Sequence, residues 1–133
     1  MNSKPKVLLI EDDPVFLKIV GISLQKRGYA AVSVATFEEG LQALENDVFS
    51  FVMTDIFMPG MGGIEGIKIL KEKYESLPVI AISGGWADMN PEDTIAAARK
   101  IGADSGVKKP IETTEFDQAI EEIKRGNPLI SAE

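Results

Sequence analysis

Four short apolar runs in this chain each end in a residue able to handle a phosphoryl group. Val7 to Ile10 leads into Glu11-Asp12-Asp13, Phe51 to Thr54 into Asp55, Val79 to Ile82 into Ser83, and Gly106 to Lys108 into Lys109-Pro110. Runs of that length alternate with segments whose apolar spacing is helical, the pattern of an α/β protein. Strand followed by helix, five times over, requires right-handed crossovers and a parallel sheet covered on both faces. The polar residues that close such strands meet at the carboxyl edge of the sheet, where open α/β sheets build their sites.

The second strand is read at Val32 to Val34 with its flanks, and full burial accounts for the unbroken apolar character of the first, third and fourth. The first helix is predicted over Pro14 to Arg27, with Phe16, Leu17, Val20 and Leu24 near the helical period, Asp13 as its cap and Pro14 at its first position. Thr36-Phe-Glu-Glu39 has capping-box spacing and predicts a second helix toward Asn46. Gly63 to Lys73 supplies a third. Asn90-Pro91-Glu92-Asp93 combines a cap, a first-turn proline and two acids at the positive end of a helix dipole, so a fourth helix should run through Lys100 and stop at Gly102. The last is predicted from about Thr113 to Arg125, ended by Gly126 and Pro128.

The 133 residues suit a single domain with a core at about 5–126, and no linker, repeat or low-complexity stretch divides them. A second, output domain is not expected. The formal net charge of −7 and the lack of a basic run argue against nucleic-acid binding. No stretch approaches membrane length and no signal peptide is evident, so a cytoplasmic protein without a membrane partner is expected. With no cysteine and no histidine, thiolate chemistry, zinc-cysteine sites, the Ser-His triad and histidine metal ligands are excluded.

Chemistry must then rest on carboxylates, a hydroxyl and lysine. Glu11, Asp12 and Asp55 would crowd three negative charges into one cleft, and two carboxylates about 5 Å apart repel by roughly 3 kcal/mol at an effective dielectric near 20. A hard divalent cation relieves that repulsion, and an all-oxygen, partly hydrated site suits Mg²⁺. A carboxylate so placed can also act as a nucleophile and take up a phosphoryl group as an acyl phosphate. Lys109 would add positive charge and Ser83 a hydrogen bond. Each motif alone also has a plainer reading: a solvated loop and helix cap for the acidic run, a turn residue for Ser83, a surface lysine for Lys109, and backbone geometry for Met58-Pro59 and Gly62-Gly63.

Taken together and in order, Glu11-Asp12, Asp55-Ile56-Phe57-Met58-Pro59 with Gly62-Gly63, Ser83 and Lys109-Pro110 resemble the receiver domain of two-component response regulators over essentially the whole chain. The resemblance implies a flavodoxin-like (βα)5 doubly wound five-stranded parallel sheet in the order 2-1-3-4-5. It implies phosphoryl transfer to Asp55 from a histidine kinase or histidine phosphotransfer protein. Mg²⁺ would be held by Asp12, Asp55 and the main-chain carbonyl of Phe57, with Glu11 acting through a metal-bound water. Ser83 and Lys109 would contact the phosphoryl oxygens. The domain would catalyse its own phosphorylation and slow hydrolysis while serving as a switch, not an enzyme, for a downstream target protein. A diffusible regulator or phosphorelay intermediate, monomeric or weakly dimeric, is the expected form.

Three features depart from the family pattern. Gly102-Ala-Asp-Ser105 leads into Gly106, where members usually carry an aromatic that swings inward when the hydroxyl engages phosphate. Lys108 stands where an apolar strand residue is commoner. The link from Gly84 to Pro91 is longer than in compact receivers and carries Gly85 and Trp86, so this loop is expected to convey the signal that an aromatic at 106 would otherwise help convey. An aspartyl-nucleophile phosphatase of the haloacid dehalogenase type would need a second acid two residues after Asp55, where Phe57 stands. A phosphorylation-independent adaptor on the same fold is the other alternative.

Overall fold

The computed structural model describes residues 4–56, 62–84 and 90–126. Strands β1 (Lys6–Ile10), β2 (Ala30–Val34), β3 (Phe51–Asp55), β4 (Val79–Ser83) and β5 (Ser105–Lys108) alternate with helices α1 (Pro14–Lys26), α2 (Phe37–Asn46), α3 (Gly63–Lys73), α4 (Pro91–Lys100) and α5 (Thr113–Gly126). The strands form one parallel sheet in the order β2-β1-β3-β4-β5, as the resemblance implies. No helix among the described residues is long and apolar enough to cross a membrane.

Helix starts fall where local chemistry puts them. The Asp13 carboxylate accepts from the amides of Val15 (3.0 Å) and Phe16 (3.4 Å), satisfying donors that have no partner inside α1. Thr36 Oγ1 accepts from Glu39 N, and Glu39 Oε1 accepts in return from Thr36 N, so α2 opens with a closed capping box. Asn90 accepts from the Asp93 amide at 2.8 Å ahead of α4. After α4 the chain turns at Gly102, whose φ of 128° an L side chain rarely adopts.

Strand side chains alternate between faces, so the central strands feed two cores. Val7, Leu9, Phe51, Met53, Ile80, Ile82 and Val107 pack with Val20 and Leu24 of α1 and Phe116, Ala119, Ile120 and Ile123 of α5. Leu8, Ile10, Val52, Val79 and Ala81 pack on the other side with residues of α2, α3 and α4. Edge-on contact of the Tyr29 and Phe51 rings, 5.2 Å apart, anchors the first core. Continuing the alternation past the strand ends assigns Glu11, Asp55 and Lys109 to the α1/α5 side, since they extend the rows of Val7 and Leu9, Phe51 and Met53, and Val107. Register then sets their height: Ile10 lies beside Thr54, and Asp55 beside Ile82.

The backbone approaches tightly near this edge at the start of α3. A Cβ on Gly63 would lie 2.5 Å from the Asp55 carbonyl oxygen and 2.5 Å from Ile56 Cα, both backbone atoms that cannot swing aside. Gly62 has open space around it. Gly63 is therefore required by packing, beyond the turn role read from sequence. Gly63→Ala should lower the unfolding free energy by about 1–3 kcal/mol, whereas Gly62→Ala should cost less than about 1 kcal/mol, as measured by urea denaturation.

Candidate functional site

Backbone hydrogen bonds extend the sheet ladder into the loops beyond the strands. Glu11 N donates to Val34 O (3.0 Å), Ile56 N to Ile82 O (3.1 Å) and Lys109 N to Ser83 O (2.9 Å). The residues that close the strands are thus held by the sheet itself. Thr54, fully buried, adds a hydroxyl bond to the Asp55 carbonyl at 3.0 Å.

Three of the sequence-derived site residues converge here. Lys109 Nζ lies 2.6 Å from Glu11 Oε2 and 3.2 Å from Asp55 Oδ2. Glu11 is 1% exposed and Asp55 7%, so two carboxylates share one ammonium in a largely dry setting. The Asp12 amide donates to Glu11 Oε1 at 3.1 Å, while the Asp12 side chain is exposed. Ser83 is fully buried at the end of β4, in register with Lys108. Asp13 is the helix cap expected of it. No group of three acidic side chains disposed to hold a metal is found among the described residues, so the Glu11-Asp12-Asp55 cluster is not drawn together as a set. Phe57, Met58-Pro59, Gly85 and Trp86 lie outside the described residues, and with them the expected main-chain ligand and most of the loop expected to convey the signal.

Electrostatics follow from that crowding. The Glu11 carboxyl is pushed up to about 7, first by burial and then by its hydrogen bond and charge repulsion with Asp55, against the pull of Lys109. Burial works to lower the Lys109 ammonium, but Glu11 and Asp55 outweigh it and its pKa is raised. Two adjoining acids thus face a single lysine at this edge. Glu11 and Asp55 offer only oxygen atoms here, the ligand type that Mg²⁺ takes.

Sequence reading missed Phe16 as a neighbour of this edge. Its ring centroid is 4.4 Å from Lys109 Nζ. Helical spacing marked Phe16 only as an apolar position, and nothing local links it to a residue so far along the chain. The structure also shows what meets Gly106: a Cβ there would lie 2.4 Å from Ile95 Cγ2. Lys108 points to Glu92 of α4, with 3.0 Å between Nζ and Oε2.

A doubly wound parallel sheet with two carboxylates and a lysine gathered at its carboxyl edge has its polar cluster where open α/β sheets bind ligands. Residues 7–121 match the response regulator receiver domain, and the chain belongs to that family. Members of the family are phosphoacceptor switches of two-component systems that work with Mg²⁺, histidine kinases and downstream effectors.

The chain is 31% identical over 123 residues to the transcriptional regulatory protein GlrR of Escherichia coli, an alignment covering 92% of this chain and 27% of GlrR. It is 33% identical over 107 residues to the response regulator protein FleR of Pseudomonas aeruginosa, covering 80% of this chain and 22% of FleR. The chain therefore spans only a minor part of these curated relatives. Among solved structures, a response regulator receiver domain protein from Clostridium thermocellum superposes with a TM-score of 0.80 at 26% identity, covering 94% of this chain and 98% of that one. A response regulator structure from Chloroflexus aurantiacus gives a TM-score of 0.81 at 21% identity, with 91% and 98% covered, and shares the fold.

The raised Glu11 pKa carries a stability signature. Between 4.5 and about 7 the folded state holds a proton that the unfolded chain releases, so this group's contribution falls as pH rises through that window and levels off above it. Urea midpoints recorded in EDTA from pH 4.5 to 8 should show the decline in the wild type relative to Glu11→Gln, which lacks the titrating group. A wild-type curve parallel to that of Glu11→Gln would contradict the assignment.

Proposed function

We propose that Asp55 accepts a phosphoryl group from a phosphohistidine on a histidine kinase or histidine phosphotransfer protein, and that the acyl phosphate changes which target protein the domain binds. The observation that carries this reading is the Lys109 ammonium held 3.2 Å from a buried Asp55 carboxylate at the carboxyl edge of the sheet. A carboxylate nucleophile needs no proton removed. Lys109 supplies positive charge where the phosphoryl oxygens gather, and Ser83, closing the neighbouring strand, is the hydroxyl assigned to them.

Asp12, Asp55 and the Phe57 main-chain carbonyl are the residues assigned to Mg²⁺, with Glu11 reaching it through a water. When bound, the ion neutralises charge on the incoming phosphoryl oxygens. The all-oxygen chemistry of these groups and the surplus negative charge of Glu11 beside Asp55 support that assignment. Val15, Ile19 and Ile22 form an exposed apolar row on α1 that begins within the turn capped by Asp13, which gives a protein donor a surface adjoining the acceptor.

Incubation with acetyl phosphate and Mg²⁺ should add one phosphoryl group by intact mass, and neither Asp55→Asn nor the wild type in EDTA should be labelled. Equal labelling of Asp55→Asn would move the acceptor elsewhere; an unlabelled wild type would favour the adaptor reading. Asp12→Asn should weaken Mg²⁺ binding, read by calorimetry, more than Asp13→Asn. The latter should instead cost about 1 kcal/mol or less of stability through the cap. The reverse order would mean that the acidic loop is misassigned.

A further inference from the structure

Phe16 occupies the first turn of α1, and its ring is only partly buried against the α1/α5 core. Its position is set by the same carboxylate that starts the helix, because Asp13 caps the Phe16 amide. The loop from β1 to α1 thus brings two things to Lys109: the Glu11 carboxylate, and an aromatic face 4.4 Å from the ammonium. Elsewhere the lysine stem passes Gly84, where an added Cβ would stand 3.4 Å from Lys109 Cδ. One ammonium is accordingly shared among two acids and a ring.

The three contacts differ in what happens to them when chemistry begins. Glu11 and Asp55 are charged and hold the ammonium through directional bonds, and both gain other attractions once a phosphoryl group and a cation arrive. An aromatic face attracts a cation through its quadrupole, is uncharged, and loses nothing when the carboxylates change partners. We propose that Phe16 is a positioning residue for phosphoryl transfer, its ring keeping the Lys109 ammonium beside Asp55 while that ammonium exchanges the Glu11 carboxylate for phosphoryl oxygens. This rests on the reading of Asp55 as acceptor and Lys109 as a phosphoryl contact. In the transfer itself, an Asp55 carboxylate oxygen forms the new bond to phosphorus. With acetyl phosphate as donor, the bond from phosphorus to the acetyl oxygen breaks, its electron pair leaves with acetate, and no proton is transferred.

The test compares Phe16→Leu and Phe16→Met, which keep an apolar side chain without a ring, with Phe16→Tyr, which keeps the ring. Labelling by acetyl phosphate in saturating Mg²⁺ should slow about five- to tenfold in the two ringless variants and stay within about twofold of wild type in Phe16→Tyr. Mg²⁺ affinity should be unchanged in all three, and urea midpoints identify the variants that are folded. A second readout does not depend on phosphorylation. The Lys109 ε-methylene proton resonances should be shifted upfield by the ring in the wild type and Phe16→Tyr, and should return to the usual lysine position in Phe16→Leu.

A ringless variant labelled at the wild-type rate, or a Phe16→Tyr slowed as much as Phe16→Leu, overturns the role of Phe16 while leaving Asp55 as acceptor. A lysine resonance unaffected by loss of the ring overturns it equally. Failure of the wild type to label at all removes the acceptor reading, and the role of Phe16 falls with it.

Discussion

One ammonium between two buried carboxylates is the interaction on which the rest of this structure depends. Glu11 follows β1, Asp55 closes β3 and Lys109 follows β5, so these groups meet only if the strands lie parallel, in the observed order and register. Slipping one strand by a single residue would turn its closing side chain to the opposite face. It would leave at least one charge buried without a partner, at a cost of several kcal/mol for a group that cannot shed its charge. The acids are tolerated because Lys109 reaches them and because Glu11 can hold a proton. The same pair that penalises folding concentrates carboxylate oxygens at the edge, the ligand type that a hard divalent cation takes.

Such a demanding edge needs a sheet that does not move beneath it, and the opposite end supplies one set of anchors. Asp104, in the turn before β5, accepts from the Val79 amide at 2.8 Å and from Lys71 Nζ at 3.0 Å, and Lys71 Nζ also donates to Leu77 O. The end of α3 and the starts of β4 and β5 are joined through that one carboxylate. Glu122 of α5 receives both arms of Arg99 of α4 and the buried Ser105 hydroxyl of β5, and this holds its carboxyl below the usual range, chiefly through Arg99. Such forked pairing is more geometrically specific than an isolated surface ion pair. Between these anchors and the acid edge lie the two apolar cores, each built from alternate residues of the same central strands.

What was legible in the sequence was local or periodic. The caps at Asp13, Thr36 and Asn90 involve partners two or three residues away, and a carboxylate, hydroxyl or amide ahead of an apolar period is enough to locate them. The continuous apolar runs of β1, β3 and β4 betrayed a sheet covered on both sides, and polar residues closing those runs marked the edge. The illegible parts depend on pairs far apart in the chain. That Lys109 bridges Glu11 and Asp55 needs β5 and β1 on opposite sides of β3, and no spacing encodes how close the side chains come. Phe16 carried the signal of a core position and nothing of its face toward Lys109. Gly63 read as a turn residue because close approach to the Asp55 backbone is invisible until α3 is placed over β3.

Gly106 shows the same limit from the other direction. In the sequence it is a missing side chain; in the structure it is a surface against which Ile95 packs, since no residue with a Cβ fits while Ile95 stays where it is. Three residues before Ile95, Glu92 pairs with Lys108, which lies two residues beyond Gly106. Helix α4 therefore meets one row of β5 at both points. Because side chains alternate along a strand, the row that meets α4 at 106 and 108 excludes Val107 and Lys109, which belong to the α1/α5 side. Consecutive lysines therefore face different neighbours: Lys109 turns to the two acids, and Lys108 to α4. A single peptide bond at the end of β5 separates the lysine held by the two acids from the lysine paired with the adjoining helix, so a shift of the backbone there is felt by both.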